Sequence, residues 1–307
     1  MTDMEKERLM RKLKTIAKKE IRISTERPAA PLSATASRIG GKPAVPKDFE
    51  WPRYAEPLYQ DESSIKAFVK KIAGIKDSPQ FCPPVPLAFI AQINLKDVAN
   101  LDEENRLPKT GILSFFYELE SQPWGMYMTD RGSARVFYFP DEAVLTVAEP
   151  PEDLSTDWQS QEFALRFESR ISLPSLGEYE YDDGEDYEWD DFQQCRAECG
   201  YFDSKKDYRD EEHIKMFGYP DVIQNPMEEE CERVTMGFLR DENVSYTADA
   251  VYERSKDWTL LFQLPSKLDG DDFEFMFGDA GSIYFWIRKE DLRDRKFENA
   301  WLILQCY

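Results

Sequence analysis

Phe89-Ile90-Ala91-Gln92-Ile93 and Leu260-Leu261-Phe262-Gln263-Leu264 are two apolar runs, each holding a single glutamine, at an offset of 171 residues. Short apolar runs bounded by turn residues read as buried strands. Prolines 79, 83, 84 and 86 forbid a helix ahead of the first run, so residues 87–95 read as strand. The likeness continues along the chain. Gly111-Ile112-Leu113-Ser114-Phe115-Phe116-Tyr117 is similar to Gly281-Ser282-Ile283-Tyr284-Phe285-Trp286-Ile287, at an offset of 170 residues. In the same order, Ile39-Gly40-Gly41-Lys42-Pro43-Ala44-Val45-Pro46 is similar to Phe217-Gly218-Tyr219-Pro220-Asp221-Val222-Ile223. Three matches in one order predict an internal duplication. Two copies are too few for a solenoid, so each is expected to present an antiparallel sheet with one apolar face to bury. The fold class is therefore α+β, mainly antiparallel sheets from a duplicated unit with inserted helices.

Around this repeat the chain divides into a basic amphipathic N-terminal helix (1–27), a first repeat half (28–160), a connecting strand and acidic segment (161–212) and a second half (213–307). Thr2 can cap the N-terminal helix, whose Leu9, Leu13, Ile16 and Ala17 fall near helical spacing. Ile65, Phe68, Val69 and Ile72 predict a second helix over 64–74. Further strands are expected at 111–117, 135–139, 143–147, 258–264, 273–277, 281–287 and 300–306, with a short helix over 291–298. Apolar residues at the odd positions from Phe163 to Leu173 have a strand's two-residue period. Residues 178–191, nine of fourteen acidic and none basic, read as a solvated loop or helix start.

Composition narrows the function classes. A net charge of −21 over 307 residues disfavours nucleic-acid binding through the phosphate backbone and would steer in a basic protein partner. No apolar run is long enough for a membrane span, and the N-terminus lacks a signal peptide's continuous apolar stretch. Five cysteines, at 82, 195, 199, 231 and 306, fit free thiols in a reducing compartment. A cytoplasmic location follows as the expectation. Residues 1–22 carry eight Lys/Arg against four Asp/Glu, so the N-terminal helix is a basic appendage on an acidic body. It can dock on its own chain, lie solvated, or meet a membrane surface or partner.

The chain also resembles the YwqG-like family of bacterial proteins. The residues that carry this are Ser37-Arg38-Ile39-Gly40-Gly41-Lys42-Pro43 with Trp51-Pro52, Pro86 to Leu95, Leu107 to Phe116, His213 to Pro220 with Ile223-Gln224, and Gly278-Asp279-Ala280-Gly281 before Tyr284-Phe285-Trp286-Ile287. Phe277 departs from the pattern, which has Trp before the Gly-Asp pair. The resemblance implies an α+β fold, a cytosolic setting and no catalytic residues. It leaves room for an immunity-type binding role.

No constellation of residues names a reaction. His213, the sole histidine, excludes clusters of two or three imidazoles and leaves one candidate for acid–base work. Cys195 and Cys199, four apart, miss the two-residue gap of structural zinc sites and read as buried thiols beside Phe192. Gly40-Gly41-Lys42 lacks both the earlier glycine and the following Ser/Thr of a phosphate loop, and reads as a tight turn. Gly278-Asp279-Ala280-Gly281 reads as the turn between two strands. No cofactor or metal is implied.

Two expectations follow. The first is a non-catalytic cytosolic binding or protein-interaction protein, with room for an immunity-like role, that meets a basic partner through Glu185, Asp186, Glu188, Asp190 and Asp191. The second is a small-ligand binder or enzyme with a cleft between the repeat halves, where Arg38, Lys42, Trp51, Tyr219 and Asp279 would meet.

Overall fold

Among the described residues, ten strands form one mainly antiparallel sheet that runs through both halves of the chain. The computed structural model describes residues 1–58, 80–183, 186–201, 213–236, 248–269 and 272–307. Numbered along the chain, the strands of the large sheet are β1 (Lys18–Glu26), β2 (Arg38–Ile39), β3 (Ala88–Asn94), β4 (Ile112–Tyr117), β5 (Ala134–Phe139), β6 (Phe163–Ser172), β7 (Ile214–Phe217), β8 (Trp258–Pro265), β9 (Ser282–Arg288) and β10 (Trp301–Gln305). Their spatial order is β5-β4-β3-β2-β6-β1-β7-β8-β9-β10. Exchanging β1 with β6, β2 with β7, and so on to β5 with β10 gives the same order read from the other edge. Four two-stranded pairs, among them Ala44–Pro46 with Leu145–Val147, decorate this frame.

The correspondence extends to side chains. Gln92 lies opposite Arg38, and Gln263 opposite Lys215. Gln92 Oε1 accepts from the Ala44 N–H at 2.9 Å and its Nε2 donates to Ala36 O at 2.7 Å. Gln263 Oε1 accepts from the Asp221 N–H at 2.9 Å and its Nε2 donates to His213 O at 2.9 Å. Each glutamine thus satisfies loop backbone that burial would otherwise strand. The register of β3 on β4 shifts between Phe89 and Ala91, and that of β8 on β9 between Leu260 and Phe262. After β2 and β7 the chain turns through Gly41 (φ +69°) and Gly218 (φ +74°). A Cβ at either would press on a carboxylate residue, 3.0 Å from Glu162 Cβ or 2.9 Å from Glu20 Cβ, so glycine is required twice over.

The two halves share one core. Phe115 of β4 meets Phe262 of β8 and Phe285 of β9 at 4.7 and 5.1 Å between ring centroids. Ile21, Ile93, Leu113, Met216, Leu264 and Ile287 belong to the same buried cluster.

The N-terminal segment requires a correction. The expected helix over 1–27 ends early: α1 spans Asp3–Ile16, with a capping box between Thr2 and Glu5. Residues Lys18–Glu26 are instead the central strand β1, paired with β6 on one side and β7 on the other. Ile21 and Ile23 alternate onto the core, and the β-branched run suits a strand. The basic helix docks on its own chain. Leu9 and Leu13 pack with Phe192, Cys195 and Cys199, and Lys6 Nζ meets Glu198 Oε1 at 2.6 Å.

The remaining described helices are α2 (Leu95–Val98), α3 (Leu176–Asp183), α4 (Trp189–Glu198), α5 (Glu228–Met236), α6 (Ala248–Ser255) and α7 (Lys289–Arg293). The helix expected over 64–74 lies outside the described residues. The one expected over 291–298 is displaced: α7 starts at Lys289, and a 3₁₀ turn at Phe297–Asn299 follows. Glu232 ties α5 to the sheet. Its buried carboxylate accepts from Trp258 Nε1 at 3.0 Å, Arg254 Nε at 2.7 Å and Arg288 at 2.5 Å. Among the described residues, no helix is long and apolar enough to cross a membrane.

Candidate functional site

A cavity of about 1130 Å³ opens where the second half meets the first. Its floor is Trp258 and Leu260 of β8 with Trp286 of β9. One wall is α5 and α6, with Glu228, Arg233 and Tyr252; another is α7 and its flank, with Lys289, Arg293 and Arg295. The first half supplies residues 104–108, and Lys18, Glu178 and Tyr219 close the far side. A smaller cavity of about 510 Å³ lies behind that side, between α1 and Pro174, and Glu178 and Tyr219 line both.

Tyr219 is held from three directions. Its N–H donates to Ser172 Oγ at 2.9 Å, its hydroxyl donates to Ile16 O at 3.0 Å, and Lys18 Nζ sits 3.7 Å from the ring centroid. Glu178 is 7% exposed and accepts from the Ser175 N–H at 3.1 Å and Ser175 Oγ at 3.2 Å, a capping box that starts α3. Burial and then the charge of Glu228 push its carboxyl up to about 8, so it carries its proton at neutral pH. Trp286 is 1% exposed, and its indole N–H has no partner among the described residues.

Beside the larger cavity lies a buried polar centre. Lys215 Nζ is 2.7 Å from Asp221 Oδ1 and 3.5 Å from Glu20 Oε2, with none of the three side chains more than 11% exposed. Tyr201 donates to Asp221 Oδ1 at 2.9 Å, and Asp221 Oδ2 accepts from the His213 N–H at 2.9 Å and Gln263 Nε2 at 2.7 Å. Burial alone would raise the Asp221 carboxyl, but Lys215 and His213 outweigh it and hold the group well below the usual carboxylate range. Burial would lower the Lys215 ammonium, but Asp221, Tyr201 and Glu20 outweigh that and hold it above the usual range. Both groups stay charged at neutral pH. Such a pair ties a loop to a strand, and it offers no poised base or nucleophile.

Of the five residues expected to meet in a cleft, Tyr219 alone lines the large cavity. Arg38 is 3% exposed, ion-paired with Glu162 and bonded to the carbonyls of Ser33 and Ala34. Lys42 is on the surface, 2.6 Å from Glu149 Oε2. Trp51 donates to Leu87 O at 2.8 Å and meets the Phe116 ring edge-on at 5.4 Å. Asp279 is exposed, and its carbonyl accepts from the Tyr307 N–H at 3.2 Å. Of the acidic set, Asp186, Glu188 and Asp190 are exposed, Asp191 takes the Met1 amino group at 2.9 Å, and Glu185 lies outside the described residues.

Sequence reasoning did not single out Lys215, Asp221, Trp286, Lys289 or Arg293. A signal existed for the first: a lysine flanked by Ile214 and Met216 in an apolar strand must be buried or at an edge. None existed for the cavity walls, which come from well-separated segments.

A family model described as a domain of unknown function (DUF1963) matches residues 37–306, leaving α1 and β1 outside the match. No curated protein matches the chain.

Proposed function

The chain belongs to the DUF1963 family, whose description carries no activity, and we propose from the cavity itself that it is a non-catalytic binding protein for a small molecule. The observation that carries this is the cavity's make-up. A volume of about 1130 Å³ walled by Tyr219, Tyr252, Trp258 and Trp286 amid charged groups has the size and mixed chemistry of small-ligand sites. Native mass spectrometry of protein purified from its host tests the reading. A bound mass is expected in the parent and absent from Tyr252→Ala, which removes a ring from the α6 wall. A parent that carries no added mass, also after exposure to pooled metabolites, contradicts it.

A second reading rests on Trp189. This ring is 40% exposed on α4 between Glu188 and Asp190, and exposed tryptophan is enriched at interaction surfaces. It supports an immunity-type role with a basic protein partner. Capture from host lysate at low salt, release at about 0.5 M salt and loss on Trp189→Ala are its expected outcomes. Capture that ignores both salt and the substitution contradicts it.

We further propose that the chain is a YwqG-like, bacterial, cytoplasmic member of its family, built by duplication of one five-strand unit. The exchangeable strand order, the two glutamines and the two matching register shifts support the duplication.

A further inference from the structure

The charge of the cavity runs against the charge of the protein. The chain has 39 Lys/Arg against 60 Asp/Glu. The residues lining the cavity include seven Lys/Arg against five Glu, and one of the five, Glu178, keeps its proton at neutral pH. Glu229 meets Arg233 at 2.5 Å and Glu104 meets Arg106 at 3.8 Å, which leaves five Lys/Arg of the lining against Glu228 and Glu230; of those five, Lys256 also meets Glu253 at 2.8 Å and Arg293 meets Asp294 at 3.0 Å, both outside the lining. The cations gather on one side. The Lys289 N–H donates to Asp257 O at 2.8 Å and Lys289 Nζ to Lys256 O at 2.6 Å, which fastens α7 to the start of β8 and sets Lys256, Lys289 and Arg293 along one wall. A basic wall inside an acidic protein concentrates anions from solution.

A second, independent observation is Trp286. An indole N–H only donates, and a buried donor without a partner is destabilising. This one belongs to a side chain of the cavity floor. An occupant with an acceptor atom would satisfy it, whereas an ammonium or a plain hydrocarbon would not.

Resting on the cavity reading above, we propose that the occupant is an organic anion bearing a flat ring. Its acidic group meets the wall of Lys256, Lys289 and Arg293, and an acceptor atom meets the Trp286 indole N–H. Tyr252 and Trp258, each with a cation over one face (Lys256 at 4.2 Å and Arg288 at 4.6 Å from the ring centroids), supply the rings against which a planar group can lie.

The test compares two probes that share one ring system, 8-anilinonaphthalene-1-sulfonate and the uncharged N-phenyl-1-naphthylamine, by fluorescence titration of the full chain. The sulfonate is expected to bind about tenfold or more tightly than the amine at low salt. Lys256→Gln with Arg293→Gln, both exposed and neither side chain part of the tie between α7 and β8, is expected to weaken the sulfonate about tenfold and leave the amine unchanged. Equal affinity for the two probes, or a sulfonate affinity indifferent to the double substitution, overturns the anion inference. If the amine is then weakened by Tyr252→Ala, the cavity reading survives without it. If neither probe binds, the cavity reading falls and the inference with it.

Discussion

Lys215 and Asp221 face each other at 2.7 Å in the second half of the chain, where the corresponding loop and strand of the first half carry Ala44 and Arg38. The frame around them is otherwise held in common: a glutamine bonded to the loop, a glycine at positive φ and a glutamate beside the cation. In the first half the carboxylate partner is Glu162 on Arg38, in the second it is Glu20 near Lys215. The second half thus adds an ion pair, and with it His213 and Tyr201, to a scaffold that works without them.

Removing that carboxylate should be expensive. Asp221→Ala leaves Lys215 charged and buried with Glu20 and the Tyr201 hydroxyl, each at 3.5 Å, as its remaining partners. A loss of about 3 kcal/mol is expected in urea unfolding, the scale for breaking a buried pair from one side. A loss under about 1 kcal/mol would show that the pair is solvated.

Stability should depend on pH in two opposed ways. The folded-state pKa of Asp221 is depressed, so its contribution is complete above the unfolded value near ~4 and fades as pH falls below it. The carboxyl of Glu178 is raised to about 8, so the folded state holds a proton the unfolded chain has released. Its contribution is complete below pH ~4 and is lost as pH rises to about 8. Glu178→Gln keeps an acceptor for Ser175 and removes the titration. The variant should therefore gain on the parent between pH 5 and pH 8 in thermal melts. A constant difference across that range would place Glu178 in solvent.

Much of this architecture was legible in the sequence, because the repeated glutamine runs are buried strands in both halves and nothing but a strand fits between the prolines and Asn94. Lys18–Glu26 was not, because its charges continue those of α1 and hide the alternation of Ile21 and Ile23. Helices α5 and α6 were missed as well. The five expected site residues were chosen from loops that match between the halves, yet Arg38 and Trp51 spend their polar groups on backbone and ion pairs within the frame. Repetition marks what builds the fold, and the cavity is lined largely by what the second half does not share.

The two halves should unfold together. Phe115 is buried against rings of the second half, so Phe115→Ala should cost about 3–5 kcal/mol. It should also lower the midpoint of a single transition followed by both tryptophan fluorescence and far-UV circular dichroism. Two separate transitions would mean two cores.

Deleting residues 1–27 should abolish the soluble fold, although those residues lie outside the family match. The deletion removes β1 from between β6 and β7 and exposes two sheet edges. Size-exclusion chromatography should show aggregate or no soluble product. A monodisperse, cooperatively melting truncation would contradict the placement of β1.

The cavity claim is tested most directly at the indole N–H groups of the seven tryptophans, read by ¹H–¹⁵N correlation spectra during titration with 8-anilinonaphthalene-1-sulfonate. Trp258 and Trp286, on the cavity floor, are expected to shift and saturate together, while the exposed Trp124 and Trp189 stay in place. Shifts at Trp124 or Trp189 with Trp258 and Trp286 unmoved would put the binding surface elsewhere and contradict the claim.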